Sequence, residues 1–448
     1  MIMNLRKSLF FGAHRLFLGS SLGKVYEHIY NEDQARSSRD TTGQYLIRML
    51  NHCQLSVPYY AEIISRMGDG YKNDPETYLT RFPILTKEII RKNSDRLNST
   101  DLSRRNWIYN SSGGSTGEPI RLIQDRQYMD HQMAIQWLSF NWAGRKLGEP
   151  AYFLWGSERD ILKGTIGLRK KILNKLTNDR FLNAFLMTPE KMRQYLAQLN
   201  RMPPKLIVAY VQSIYELAQF AEKEKIFVAP QTAIMTSAGT LFSFMREKIE
   251  TVFQCKVFNR YGSREVGDIA CECETHAGLH VFPWGNYIEI VDEQGRLVPN
   301  GIEGNILVTN LSNFAMPLIR YSIGDRGVLS QSDCCKCGRQ GQIIEKITGR
   351  NVDVFRKIDG TLVDGEYFTH LLYFKDWVRK FQVVQKDYSH VVFRIVKTDV
   401  DYAPEDLADI QEKTKIVMGE DCIVSIEFLD DIPPSESGKY RYTISEVL

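Results

Sequence analysis

Apolar residues recur every three to four positions through most of the first hundred residues, and then the rhythm changes. Over residues 3–30 this spacing predicts an amphipathic helix that packs by one face on its own domain, with association with a membrane surface as the alternative. Asp40 to His52 and Tyr59 to Met67 repeat it. Phe82-Pro83-Ile84-Leu85-Thr86-Lys87 breaks it, because a residue before proline is pushed out of the helical region, and Thr86 can cap the helix that follows. Trp107 to Asn110 and Ile120 to Ile123 read as strands on either side of a small-residue loop. From 130 to 310, helical stretches alternate with the apolar runs Tyr152 to Trp155, Leu206 to Tyr210, Thr232 to Thr236 and Lys256 to Asn259. Such runs between helices predict an α/β domain with buried parallel strands. From Tyr287 the pattern turns to alternation, with strands at Tyr287 to Val291, Gly304 to Thr309 and Gly327 to Ser330. Past Gly349 comes a smaller β-β-α-β unit: Phe381 to Gln385, His390 to Val396, a helix over Pro404 to Met418, and Cys422 to Leu429.

The expected architecture is therefore α/β. A large N-terminal domain, 1–349, combines parallel-sheet α/β layers with a helical part over 1–100 and a β-rich part over about 285–345. A small α+β domain covers 350–448. The length of 448 residues suits two or more domains.

Charge and composition narrow the function. Lys plus Arg number 57 and Asp plus Glu 54, a balance that gives no support to nucleic-acid binding. No apolar run approaches the ~18–20 residues of a transmembrane segment. The N-terminus starts like a secretory signal, but His14 and Arg15 cut the apolar stretch short and no small-residue cleavage site follows. A cytoplasmic, reducing location is expected, so the eight cysteines read as thiols or metal ligands. The basic run Arg169-Lys170-Lys171 reads as a solvated helix face.

The strongest chemical signal is Ser111-Ser112-Gly113-Gly114-Ser115-Thr116-Gly117, seven consecutive Gly, Ser or Thr residues followed by Glu118-Pro119. Such a loop offers N–H and hydroxyl donors to phosphate oxygens and lets the backbone come close. It is not a Walker loop, since no Lys follows the last Gly and a strand resumes. A plain linker is its structural alternative. Further along lie Asn259-Arg260-Tyr261-Gly262-Ser263-Arg264-Glu265, Arg320-Tyr321-Ser322-Ile323-Gly324-Asp325, Thr348-Gly349-Arg350 and Ser437-Gly438-Lys439. Each alone reads as a structural turn.

Taken together and in this order, these segments resemble the AMP-forming acyl-activating (adenylate-forming) enzymes. The resemblance covers most of the chain. It runs closest to the phenylacetate–coenzyme A ligase-like branch and its relatives from capsule and polysaccharide biosynthesis clusters. Val57-Pro58-Tyr59-Tyr60, Phe82 to Lys87, Ser112 to Gly117 and Tyr261 to Glu265 carry that branch assignment. The resemblance implies that residues 111–117 wrap the ATP phosphates. It implies that Ser237-Ala238-Gly239 line the adenine and acyl pockets, that Tyr261 stacks on adenine, and that Glu265 holds Mg2+. Asp325 would accept from the ribose hydroxyls, and Arg350 would contact ribose or phosphate at the hinge. Lys439 would bridge the substrate carboxylate and the α-phosphate from a mobile C-terminal lid. Arg264 replaces the family's usual Thr and could pair with phosphate or an anionic substrate group; Val352 stands where a hinge Asp is common, with Asp353 next. The implied reaction is ATP-dependent adenylation of a carboxylic acid, then acyl transfer to coenzyme A. Transfer to an amine or amino sugar is the alternative, and a non-catalytic nucleotide-binding relative is the third reading. A homodimer is compatible with the chain.

A second cluster is separate from these motifs. Cys271, Cys273, His276 and His280 lie in one short stretch, and Cys334, Cys335 and Cys337 in another. Cys273, His280, Cys335 and Cys337 are the expected ligands of a structural Zn2+, with Cys271 and His276 as alternates. Trp155 and the pair Phe282 and Trp284 read as aromatic core, though the resemblance also puts them where acyl pockets often lie.

Overall fold

The N-terminal periodicity produces two helices where one was expected. Ile2–Leu18 and Leu22–Ala35 meet at Gly19, whose φ of 59° is the left-handed conformation that ends a helix. Asp130 fixes the corner, accepting from the Ser20 hydroxyl and from the Ser21 backbone N–H, each at 2.7 Å. Phe10, Leu22, Tyr26 and Ile29 then pack into the domain, as the spacing requires. The computed structural model describes residues 2–36, 39–111, 120–156, 168–184, 187–239, 241–347, 354–359, 361–372, 375, 377–432 and 442–447.

Helices Arg39–Ser56 and Pro58–Met67 follow, and Thr86 caps Lys87–Lys92 by accepting from the Ile89 N–H. The strands β1 (Trp107–Ser111) and β2 (Arg121–Asp125) form an antiparallel hairpin. After the buried helix Arg126–Trp142 come β3 (Ala151–Trp155), β4 (Asp179–Asn183), β5 (Leu206–Tyr210), β6 (Ala233–Ser237) and β7 (Lys256–Ser263). These five run parallel, in the spatial order β4-β3-β5-β6-β7. The helices Pro189–Arg201, Val211–Lys223 and Ser243–Phe253 connect the later ones.

The expected β-rich part begins earlier than residue 285 and is continuous with the parallel strands. The chain reverses after β7 into β8 (Gly267–Glu272), β9 (Leu279–Val281), β10 (Asn286–Val291), β11 (Gly304–Asn310), β12 (Tyr321–Leu329) and β13 (Ile343–Ile347). All pair antiparallel, and one sheet of eleven strands results. Its pivot is β7, parallel to β6 and antiparallel to β8. Gly262 lies at the register shift there, where a side-chain Cβ would fall 2.6 Å from the Gly267 carbonyl oxygen.

The C-terminal unit has its own core, including Phe355, Phe368, Phe381, Phe393 and Ile410. A short hairpin, β14 (Val354–Arg356) and β15 (Leu362–Asp364), precedes β16 (Val378–Asp387) and β17 (His390–Lys397). Helix Pro404–Met418, β18 (Ile423–Phe428) and β19 (Thr443–Ser445) complete it. The sheet order is β18-β17-β16-β19, with β19 parallel to β16. The sequence pattern yields β16, β17, β18 and the helix, but not β14, β15 or β19, each of three residues and too short to show a period.

One buried cation pins the helical segment near residue 82 to the antiparallel half. Arg320 donates through Nε to both Glu289 oxygens at 3.0 and 3.1 Å, and through Nη1 to the Thr80 and Phe82 carbonyls. Burial pushes the Glu289 carboxyl up, and the guanidinium partly offsets it. Arg320→Ala strands that carboxylate, so it should cost about 3–5 kcal/mol in a urea melt; a loss under about 1 kcal/mol would mean the pin is dispensable.

Candidate functional site

The Gly/Ser loop closes the β1–β2 hairpin. Ser112, Gly113, Gly114, Ser115, Thr116 and Gly117 lie outside the described residues, as do Arg350 and Lys439. Ser111 is described and half-buried at the end of β1, where its N–H donates to Asn110 Oδ1 at 2.8 Å. Two side-chain amides then fasten the hairpin to the end of β7. Gln124 Nε2 donates to the Arg264 carbonyl at 2.9 Å, and Asn110 Nδ2 donates to Gln124 Oε1 at 2.9 Å and to the same Arg264 carbonyl at 3.3 Å. The root of the small-residue loop is thereby held against Tyr261-Gly262-Ser263-Arg264-Glu265, 140 residues away in sequence.

A third segment arrives from the helical part. Leu85 pairs with the start of β12: its N–H donates to the Arg320 carbonyl, and its carbonyl accepts from the Ser322 N–H, both at 3.0 Å. That pairing delivers Lys87 to Glu265. Both are buried, at 6% and 3% exposure, with Nζ 4.0 Å from Oε1. Glu265 Oε1 accepts no hydrogen bond among the described residues. A buried carboxylate oxygen with an acceptor position to spare among the described residues suits a further donor or a bound cation on its open side. Lys87 carried no site role in the sequence analysis. Its signal was local: a cation at the first position of a helix opposes the helix dipole, and such local conflicts mark functional positions.

The other motif residues surround this point. Tyr261, on β7, donates its hydroxyl to Asp325 Oδ2 on β12 at 2.7 Å, so the two are already joined across the site. Asp325 is buried, next to exposed Gly324 with a φ of 87°. Ser263 Oγ accepts from the Val266 N–H at 3.4 Å and shapes the turn that presents Glu265. Ser237 closes β6, and Ala238 follows in the left-handed region with a φ of 57°, unusual for a residue with a Cβ. Gly239 comes next. These positions line the carboxyl ends of β6 and β7 at the switch from parallel to antiparallel pairing, where ligands bind in open α/β sheets.

A small, open cleft lies beside them, between the start of helix Val211–Lys223 and the C-terminal unit. Tyr210, Gln212 and Glu216 line one wall, and Lys357, Val363 and Tyr367 the other. Gln212 is 6% exposed, and its Nε2 has no partner among the described residues. Trp155 packs on Tyr210 with ring centroids 4.1 Å apart. Phe282 and Trp284 lie in the core.

The sheet also brings together Cys273, after β8, His280 on β9, and Cys335 and Cys337 from the loop between β12 and β13. Their ligand atoms all lie within 4.8 Å of one another. The Cys273 and Cys335 sulfurs are 3.8 Å apart, and Cys337 Sγ is 3.6 Å from His280 Nε2. Thiolates about 2.3 Å from a common tetrahedral centre are about 3.8 Å apart. Backbone N–H groups of Thr275, Cys337 and Arg339 point at the three sulfurs at 3.4–3.5 Å. Burial pushes His280 down to about 4, which keeps the ring neutral and able to ligate. Of the alternates, Cys271 is a buried thiol outside the group, and His276 contacts the Glu272 carboxylate. Arg339 links this cluster to the N-terminal helices: Nε donates to Asp33 at 2.9 Å, and the guanidinium lies 4.3 Å from the Trp142 ring.

Residues 355–446 match the family described as the CapK C-terminal domain. Over 431 residues the chain is 25% identical to protein CapK of Staphylococcus aureus, covering 94% of this chain and 92% of that one. It is 24% identical over 316 residues to a phenylacetate–coenzyme A ligase of Aromatoleum evansii, covering 68% of each. In fold it is similar to 2-hydroxyisobutyryl-CoA ligase with 2-HIB-AMP and CoA in the thioesterification state, at a TM-score of 0.58, 16% identity and 92% coverage of both chains. The postadenylation state of the same ligase gives 0.56.

Tyr261→Phe removes the hydroxyl that donates to the buried Asp325 carboxylate. It should cost about 1–3 kcal/mol in chemical denaturation; an unchanged midpoint and slope would show that the pair is not made in solution.

Proposed function

We propose that this chain, which belongs with the AMP-forming acyl-activating enzymes on the phenylacetate–coenzyme A ligase-like branch near CapK, activates a carboxylic acid as its acyl-adenylate and passes the acyl group to coenzyme A. One observation carries this reading: four segments distant in sequence converge on Glu265, with a phosphate-type loop rooted beside it and a nucleotide-type Tyr261–Asp325 pair across from it.

In the first half-reaction a substrate carboxylate oxygen attacks the α-phosphorus of ATP, and the bond to the pyrophosphate oxygen breaks. Residues 111–117 would hold the leaving phosphates, and Asp325 would accept from the ribose hydroxyls beside Tyr261 on the adenine. Ser237, Ala238 and Gly239 would border adenine and acid. Arg264 would hold a phosphate or an anionic group of the acid. Oε1 of Glu265, with no hydrogen bond among the described residues, would fit Mg2+, which when bound would screen phosphate charge. Lys439 would neutralise charge that builds on two anionic partners at once, and Arg350 would mark the hinge of a mobile domain over 350–448. In the second half-reaction the thiol attacks the acyl carbon and AMP leaves. The cleft beneath the C-terminal unit, with the spare amide of Gln212, is the proposed entry for the acceptor. ATP, coenzyme A and reduced thiols together favour a cytoplasmic setting. No helix among the described residues is long and apolar enough to cross a membrane.

A second acceptor reading has an observation of its own. Glu216 puts a carboxylate in one cleft wall, which would suit a protonated amine or amino sugar, while Lys357 in the facing wall would suit a phosphate of coenzyme A. The four-ligand cluster fits a structural Zn2+, since a closed Cys3His set leaves no open position.

Pyrophosphate release with aryl, fatty and amino acids tests the reaction; silence across the panel would favour a non-catalytic nucleotide-binding protein. Lys439→Ala should lower ATP–pyrophosphate exchange by ~10²–10³ while sparing transfer from a supplied acyl-adenylate; normal exchange would remove Lys439 from the chemistry. Metal analysis should find one zinc per chain, lost in Cys335→Ser with a lower melting temperature; a metal-free wild type of equal stability would exclude it.

A further inference from the structure

Helix Ile2–Leu18 buries one face and shows the other. Phe10 and His14 are buried, whereas Leu9 is 51% exposed and Leu16 80% exposed. Leu9 and Leu16 are two helical turns apart, on one side. Between them Gly12 is exposed, with nothing within 4 Å of where a Cβ would stand, and Arg15 is exposed beside Leu16. Single exposed leucines are ordinary on a soluble surface; a row on one helix beside charge of one sign is not.

The two helices here carry charge of one sign. Helix Ile2–Leu18 carries Arg6, Lys7 and Arg15 and no Asp or Glu. Beside it runs helix Leu168–Thr177, with Arg169, Lys170, Lys171 and Lys175 and again no acid. The rest of the chain holds acids and bases in near balance, so the segregation is local. Phe11, Leu173 and Leu176 pack against a single core cluster, which holds the two helices as one face of the domain. Two basic heads are partly committed: Arg6 donates to the Gly148 carbonyl at 3.1 Å, and Lys7 lies 5.5 Å over the Tyr26 ring. Arg15 and Lys175 are exposed.

We infer that this face rests on an anionic phospholipid bilayer. Leu9 and Leu16 enter the acyl–headgroup boundary, while Arg15 and Lys175 meet lipid phosphates. The contact is peripheral and reversible, and it adds membrane recruitment to an enzyme whose chemistry lies elsewhere in the fold. A second copy of the chain is the competing occupant, but two such faces would oppose like charges.

Vesicle sedimentation of the full chain tests this. Phosphatidylcholine vesicles with 30–40%, that is roughly a third, phosphatidylglycerol should retain the protein at low salt, and neutral phosphatidylcholine vesicles should not. Raising salt to about 0.5 M should release it. Leu9→Glu/Leu16→Glu should weaken binding at least about tenfold, and Arg15→Glu/Lys175→Glu several-fold. Both variants should keep the wild-type melting temperature and pyrophosphate release. Failure of the wild type to bind anionic vesicles, equal binding to neutral ones, or full binding by the leucine variant would overturn the inference. So would a light-scattering dimer that the leucine variant dissolves.

Discussion

A carboxylate buried with an oxygen that accepts no hydrogen bond among the described residues is tolerable only next to positive charge, and Glu265 next to Lys87 is that situation. Both groups are buried, so the field between them is strong at their 4.0 Å separation. Much of the surrounding architecture keeps these two groups in place. Arg320 pins the chain entering Lys87, Leu85 pairs with β12, and Gly262 permits the close turn that presents Glu265. Asn110 and Gln124 root the small-residue loop against the same turn. The polar groups are positioned before any ligand arrives, which is how a site avoids reorganising during reaction.

The Cys/His cluster does comparable work at another edge of the sheet. Three backbone N–H groups aim at sulfur, and Arg339, whose N–H is one of them, also pairs with Asp33 and stacks near Trp142. The loop between β12 and β13 thus becomes an anchor for the N-terminal helices. A metal held there would stiffen the seam between the helical part and the antiparallel half.

Much of this was legible in the sequence. Buried parallel strands announced themselves as short apolar runs, and Thr86 and Pro404 gave helix starts that the structure keeps. The segments of the site were visible as small-residue and Tyr-Gly motifs, and their meeting is a tertiary fact that spacing alone could not supply. The break at Gly19 was missed because a glycine in an apolar-periodic stretch does not by itself announce a corner; Asp130, over a hundred residues later, makes it one. Strand β4 was missed because it lies at the sheet edge and reads Asp-Arg-Phe-Leu-Asn, with too little apolar run to register. Lys87 was passed over because its value depends on Glu265, and nothing local shows that partner.

The central claim is that the buried Glu265 carboxylate is built to meet the cation that accompanies ATP. Calorimetric titration of ATP into wild type and Glu265→Gln, each with and without Mg2+, tests it most directly. Mg2+ should tighten ATP binding to the wild type by about tenfold or more, and that increment should vanish in the variant while its fold and melting temperature hold. An undiminished Mg2+ increment in Glu265→Gln would contradict the account.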